Sequence, residues 1–300
     1  MSSTVLEEST PSPRAQEDPP AGTREVTVIE AGRRGGHDVG FRRSLALAWT
    51  LALTDWKLRF YGSALGAVWT LVRPFAFFGV VYLVFTEIIG LDKNIKNYGV
   101  YILFGLVLFQ YFGEIAGQSV QSLVARENLL RKMYFPPLVI PMAVGITAAL
   151  NLGMTLVAVA IFVLANGIFP QWAWLELPLL VAMLTVFALG VGMLLSSLYV
   201  RFRDIQPIWE VVQQLLFYAS PVLYVAQFVP ESYQRLYLCN PIAAVLTQVR
   251  HIIVDPTAPS VSRALGADWR LVIPLAISVG TFALGYVVFR RESPRIAENL

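Results

Sequence analysis

The chain has 300 residues, 56% of them hydrophobic and 14% charged, with a formal net charge of +3. A soluble domain carries about 25% charged residues, so this composition and a mean hydropathy of +0.60 point to a membrane protein. The single cysteine, Cys239, excludes a disulfide framework.

Residues 1–40 read as a tail. Positions 1–25 are rich in Pro, Ser, Glu and Thr, the composition of a disordered segment. They lack the apolar core of a cleaved signal peptide.

The next segment, 41–66, has helical periodicity. Leu45, Trp49, Leu53, Trp56 and Phe60 recur at spacings of four, four, three and four, with Thr50, Thr54, Lys57 and Tyr61 opposite. The pattern predicts an amphipathic helix lying in the membrane interface, flanked by Arg42, Arg43, Lys57 and Arg59. Such a helix is either a plain anchor or the holder of a cytoplasmic partner. Gly62 and Gly66 form a small-xxx-small step suited to close helix approach, and Gly62 equally suits a helix end.

Six apolar stretches follow, near 67–89, 99–123, 137–165, 174–199, 207–226 and 271–289. A helix crossing the hydrocarbon core takes about 20 residues. The third stretch exceeds that, which predicts tilt or a start in the interface. Continuous runs of this length span as helices, because lipid offers the backbone no partner. The expected fold class is an all-α polytopic membrane protein of six transmembrane helices.

Two of the stretches carry polar stripes. Gln110, Glu114, Gln118 and Gln121 share one face of the second; Gln206, Glu210 and Gln213 or Gln214 share one face of the fifth, followed by Phe217 and Tyr218. Intramembrane carboxylates are costly and face a bundle interior or a wet cavity. The stripes therefore either bond helix to helix or line a path. Tyr111, Phe112, Phe217, Tyr218 and Tyr224 offer ring faces to sugars or pack the bundle. Ala188, Gly192 and Ser196 in the fourth stretch read as close helix packing.

Between the stretches, Arg126–Pro137 mixes charges with an apolar face: a short projecting helix stopped by Pro136, or an ordinary basic anchor. The longest connection, 227–270, is too apolar over Tyr233–Asp255 for a hydrophilic loop and predicts short helices dipping into the outer leaflet. Seventeen Lys and Arg fall on one side of this arrangement and six on the other, which puts both termini in the cytoplasm. No catalytic set stands out. The chain has no Gly-Lys dipeptide and hence no phosphate loop, and only His37 and His251 to offer a metal.

Several segments in order resemble the permease subunits of ABC-2 type exporters of lipid-linked polysaccharides, the family of O-antigen and teichoic acid exporters. Asp55-Trp56-Lys57-Leu58-Arg59-Phe60-Tyr61-Gly62-Ser63-Ala64-Leu65-Gly66 with Trp69 is similar to the family's D-x-K-x-R-Y-x-x-S-x-L-G-x-x-W pattern, with Phe60-Tyr61 where a single Tyr is typical. Glu127–Pro136 is similar to its N-x-x-L-I-x-K-x-x-F-P loop. Arg203-Asp204-Ile205, Ser220-Pro221-Val222-Leu223-Tyr224 and Asn240-Pro241 follow at fitting spacing.

The resemblance implies a homodimeric pore in the bacterial plasma (inner) membrane, paired with two copies of a separate ATPase subunit that uses ATP and Mg. This chain would bind no cofactor, no metal and no nucleic acid, and would have no catalytic site of its own. Its partners would be a second copy, the ATPase, membrane lipids and a lipid-linked glycan. The resemblance assigns ATPase coupling to Trp56, Arg59, Glu127, Asn128, Arg131 and Lys132. It makes Gln110, Glu114, Gln118, Glu210, Gln214, Phe217, Tyr218 and Tyr224 the substrate path, with outer re-entrant helices closing the exit. For an anionic lipid pyrophosphate, Arg42, Arg43, Lys57, Arg59 and Arg73 supply attraction, a placement that also serves plain anchoring. The competing readings are an ABC-2 permease for a drug or small lipid, a secondary transporter driven by protons through Glu114 or Glu210, and a scaffold without transport.

Overall fold

The computed structural model describes residues 41–61, 66, 68–90, 95–127, 136–266 and 268–299, and among them every regular element is helical. Helix α1 spans Phe41–Phe60. Helix α2, Val68–Leu83, continues through a π-helical turn to Ile88, and α3 runs Tyr98–Ala125. Next come α4, Val139–Ala165, and a 3₁₀ turn at Trp172–Glu176 leading into α5, Leu177–Arg201. Helix α6 covers Ile205–Ala219. Three short helices follow: α7 (Glu231–Tyr237), α8 (Pro241–Val249, extended as a π turn to Val254) and α9 (Val261–Leu265). Helix α10, Val272–Asn299, ends the chain.

Among the described residues five helices are long and apolar enough to cross a membrane: Val68–Ile88, Tyr98–Ala125, Val139–Ala165, Trp172–Arg201 and Trp269–Glu292. They correspond to the expected stretches with small shifts, the largest at the last, where the helix runs on to Asn299 instead of stopping near 289. The stretch expected at 207–226 differs. Its helix, α6, stops at Ala219 after 15 residues. At 1.5 Å per residue that is about 22 Å, short of the ~30 Å hydrocarbon core.

The unwinding after Ala219 has a physical cause. Pro221 has no N–H to give a continuing helix, and α3 takes up the freed carbonyls. The Tyr98 hydroxyl donates to Leu223 O at 2.7 Å, and the Tyr101 hydroxyl donates to Tyr224 O at 2.6 Å and to Pro221 O. Gly105 makes the approach possible, since a Cβ there would stand 2.7 Å from Val222 O. Asn240 ties the far side: its amide donates to Ser220 Oγ, and its own side chain caps α8 by accepting from Ile242 N at 3.0 Å. The expected short helices between the fifth and sixth stretches are α7, α8 and α9. The second of them is buried almost throughout, from Pro241 to Thr247.

Helix α3 is the axis of the bundle, packed by α2, α4, α5, α6 and α8. Ile102, Leu103, Leu108, Phe112, Ile115 and Leu123 are wholly buried. Between apolar helices in lipid, close packing and hydrogen bonds hold the contact, since lipid tails compete equally for apolar surface. Small residues set the approach accordingly. A Cβ on Gly192 of α5 would meet Ser119 Oγ of α3 at 2.6 Å, and Ala188 and Ser196 on the same face are fully buried. On the other face of α5, Gly190 meets α10: a Cβ there would stand 2.6 Å from Phe282 N, and one on Gly285 would run into the Gly190 carbonyl.

Helix α1, expected as an amphipathic helix with the apolar stripe Leu45, Trp49, Leu53, Trp56 and Phe60, meets the bundle through small residues. The buried residues are Ala48 and Ala52, while Leu45 and Trp49 stay exposed. Thr147 Oγ1 donates to Ala52 O at 3.4 Å, and the Trp56 indole donates to Asn151 Oδ1 at 3.1 Å. Both bonds join residues 95 positions apart, so α1 runs parallel to α4 here. Small side chains win this face because they let the two backbones close on each other; the large ones are left outward.

Candidate functional site

The polar stripe of α3 opens a largely buried helix: Gln110, Gln118 and Gln121 are exposed and Glu114 is half-buried. Two clefts run along it. The larger, about 490 Å³, lies between α1, α2, α3 and α4 and is lined among others by Arg59, Arg73, Gln110, Glu114, Asn151 and Gln213. The second, about 370 Å³, lies toward the Ala125 end, with Asp55, Gln121, Arg126, Thr147 and Gln206 in its walls. Arg59 and Gln118 line both.

Where the clefts meet, side chains of three helices converge on one carboxylate oxygen. Glu114 Oε1 accepts from Arg59 Nη1 at 2.7 Å, from Asn151 Nδ2 at 2.7 Å and from Gln118 Nε2 at 3.0 Å. Arg59 Nη2 also donates to Gln118 Oε1 at 3.0 Å, and Trp56 donates to Asn151. The network joins α1, α3 and α4. It answers the cost of a carboxylate at membrane depth with a cation and two amides. One face further along, Asp55 of α1 is ion-paired with Arg126 at the end of α3. The two pairs are of opposite sense: α1 gives a base to α3 in one and an acid in the other.

Helix α6 forms part of the wall through a groove of small residues. A Cβ on Gly113 would collide with the Gln213 amide, and Gly117 faces Gln213 and the Trp209 indole. Gln213 therefore turns into the larger cleft and Gln206 into the second. Several polar atoms there keep hydrogen-bonding capacity in reserve. Arg126 Nη1, Gln206 Oε1 and Trp209 Nε1 are buried without a partner among the described residues, a demand that water or a polar ligand meets. Amides, hydroxyls and a few charges along an open groove suit hydroxyl-rich and anionic ligands. No cluster of three or more His, Cys, Asp or Glu able to hold a metal occurs among the described residues.

The structure brings together Trp56, Arg59, Arg73, Gln110, Glu114 and Gln118 from the expected site residues. Others lie apart. Glu210, Gln214 and Tyr218 are on the exposed side of α6, outside both linings, with Glu210 accepting from Gln206 Nε2 at 2.9 Å. Phe217 is half-buried edge-on to Phe109, centroids 5.2 Å apart, so it packs the bundle. The Tyr224 hydroxyl donates to Tyr218 O at 2.9 Å and accepts from Tyr237 at 3.1 Å, which ties it to the end of α6 and to α7. Arg42, Arg43 and Lys57 are exposed on α1 away from either lining. Glu127 is half-buried at the end of α3; Asn128, Arg131 and Lys132 lie outside the described residues, as does the tail to residue 40.

Sequence reasoning missed Asn151, the hinge of the network, along with its neighbours Thr147 and Thr155. Their signal was there: Thr147, Asn151 and Thr155 recur by four in the third apolar stretch, a stripe of the same kind as that of α3.

The profile of the ABC-2 type transporter family matches residues 46–254. The chain is 28% identical over 204 residues to the O-antigen export system permease protein RfbA of Klebsiella pneumoniae, covering 68% of this chain and 78% of that one. It is 28% identical over 253 residues to the RfbA permease of Myxococcus xanthus, covering 84% and 94%. Against the polysialic acid transport protein KpsM of Escherichia coli the identity is 25% over 222 residues, covering 72% and 84%.

Proposed function

The chain belongs to the ABC-2 type transporter family, and on that premise we propose that it is the membrane-spanning subunit of an ATP-driven exporter of a lipid-linked polysaccharide, an O-antigen or a related surface glycan. The observation that carries the reading is the open stripe Gln110–Glu114–Gln118–Gln121 on a helix that is otherwise largely buried. A membrane protein gains nothing from an amide-lined groove at depth unless polar cargo or water occupies it.

Membership of the family implies a partner ABC ATPase. In the full reading two copies of this chain form the pore in the bacterial inner membrane, both termini face the cytoplasm, and two ATPase copies dock there. The partner holds ATP and Mg. Helix α1 and the segment from Glu127 through Asn128, Arg131 and Lys132 receive its motion. Trp56 and Arg59 pass that motion to Asn151 and Glu114, the bonds that tie α1 to α4 and α3. The short helices α7 and α8 close the outer end.

The test is transport in membrane vesicles carrying this chain and an ATPase encoded beside it. Lipid-linked glycan should cross only with hydrolysable ATP. Transport driven by a proton gradient alone, without ATP or partner, would sink the reading in favour of a secondary transporter. Equal transport of small amphiphiles would favour a drug or lipid permease.

A further inference from the structure

The larger cleft holds two guanidinium groups, those of Arg59 and Arg73, and one carboxylate, that of Glu114. Arg73 is exposed in the cleft, and no acceptor is placed against it among the described residues. Arg59 is spent on Glu114 and Gln118, yet its side chain remains 34% exposed. We propose that Glu114 occupies Arg59 in place of an anionic ligand, and that a diphosphate group bound in this cleft displaces it, bridging Arg59 and Arg73.

The exchange is balanced on both sides. When Arg59 turns away, Glu114 Oε1 keeps Asn151 Nδ2 at 2.7 Å and Gln118 Nε2 at 3.0 Å, so the carboxylate is not stranded. Arg59 loses its bonds to Glu114 and Gln118 and gains phosphate oxygens, which its planar fork engages two at a time. Arg73 gains an acceptor. The cavity of about 490 Å³ falls within the range of small-ligand sites, roughly 300–1,000 Å³. One consequence reaches past the pocket. Displacement breaks the Arg59–Glu114 tie between α1 and α3 while the Trp56–Asn151 tie between α1 and α4 persists. Occupancy of the cleft is thereby written into the attachment of α1.

The source of the diphosphate, a lipid headgroup, rests on the exporter reading; the exchange itself needs only this chain. The test uses the full chain in phosphatidylcholine nanodiscs, titrated with farnesyl diphosphate, farnesyl monophosphate, farnesol and inorganic pyrophosphate. Farnesyl diphosphate should bind saturably, the monophosphate more weakly and farnesol not at all. Glu114→Gln should bind the diphosphate about tenfold tighter, because the competitor's charge is gone while the amide still occupies the site. Arg73→Gln, at an exposed position that leaves the network intact, should bind about tenfold weaker. Unchanged or weaker binding by Glu114→Gln, or unchanged binding by Arg73→Gln, would overturn the exchange. Pyrophosphate binding as tightly as the farnesyl ester supports it with a soluble anion as the source; tighter farnesyl binding supports it with a lipid headgroup. Exchange without ATP-driven glycan transport in the vesicle assay would leave this site standing and remove the exporter reading, while transport with no effect of Glu114→Gln would do the reverse.

Discussion

Trp56 on α1 donates its indole N–H to Asn151 on α4 at 3.1 Å, and the amide of that same Asn151 donates to Glu114 on α3 at 2.7 Å. Asn151, 6% exposed, thus links three helices with one side chain. Asn151→Leu should lower stability by about 1–3 kcal/mol, since it leaves an indole and a carboxylate short of a partner. Thermal unfolding in detergent reads the loss. A melting temperature equal to that of the unmodified chain would mean the network contributes nothing.

The pair Asp55–Arg126 calls for a charge swap. Asp55→Arg should weaken the fold and any ATP-driven transport through like-charge repulsion with Arg126. Combining it with Arg126→Asp should recover most of both. Side chains this open, Asp55 33% and Arg126 19% exposed, give a coupling on the order of 1 kcal/mol. Two single variants whose effects simply add in the double would show that the pair does not act as one.

The carbonyls after Ala219 depend on two hydroxyls. Tyr101→Phe strips the donor to Pro221 O and Tyr224 O, and Tyr98→Phe the donor to Leu223 O. Each should cost about 1–3 kcal/mol, and amide hydrogen exchange should quicken over 220–225 ahead of the rest of the bundle. Uniform exchange across α6 and this segment would contradict the role given to the tyrosines.

Glycine substitutions separate close approach from mere flexibility. Gly285→Ala should abolish accumulation of folded protein, because the added methyl meets backbone of α5 that cannot move aside. Gly153→Ala and Gly280→Ala, with nothing within 4 Å, should be neutral or stabilise by up to about 1 kcal/mol. Yields in the membrane after mild solubilisation rank the three.

Asp255 directly follows α8 and its π turn. Burial pushes its carboxyl up, but the Thr257 hydroxyl and amide, Arg250 and Lys96 outweigh that and hold it below the ordinary value of 3.8. A native value below the unfolded one stabilises the fold fully above about pH 4, and the contribution disappears as pH falls through the native value. Asp255→Asn should therefore flatten the acid limb of stability against pH. An unaltered acid limb would show that other carboxylates dominate it.

The placing of five of the six expected stretches was legible because apolar length is a direct readout of bilayer thickness. The Gln110–Gln121 stripe was legible for a similar reason: polar residues at helical spacing in an apolar run have few uses. What stayed hidden depended on contacts between segments far apart in the chain. Pro221 is a local signal against a helix through the whole of 207–226, but nothing in that segment shows that Tyr98 and Tyr101 will hold its carbonyls. The choice between Gln213 and Gln214 turned on Gly113, a hundred residues earlier, which leaves room for one amide and not the other. On α1 the bulky stripe drew the eye, while Ala48 and Ala52, which make the contact, carry almost no signal in composition.

Helix α3 carries the Arg126 and Glu114 attachments of α1 toward one end and the Tyr98 and Tyr101 attachments of the unwound segment at the other. Its 28 residues make a rod of about 42 Å. Packed interiors resist compression, so such a rod transmits displacement and does not absorb it. The attachments of α1 and of the segment beside Pro221 are in this sense mounted on one push-rod, so a displacement at Arg59 bears on the carbonyls at the other end.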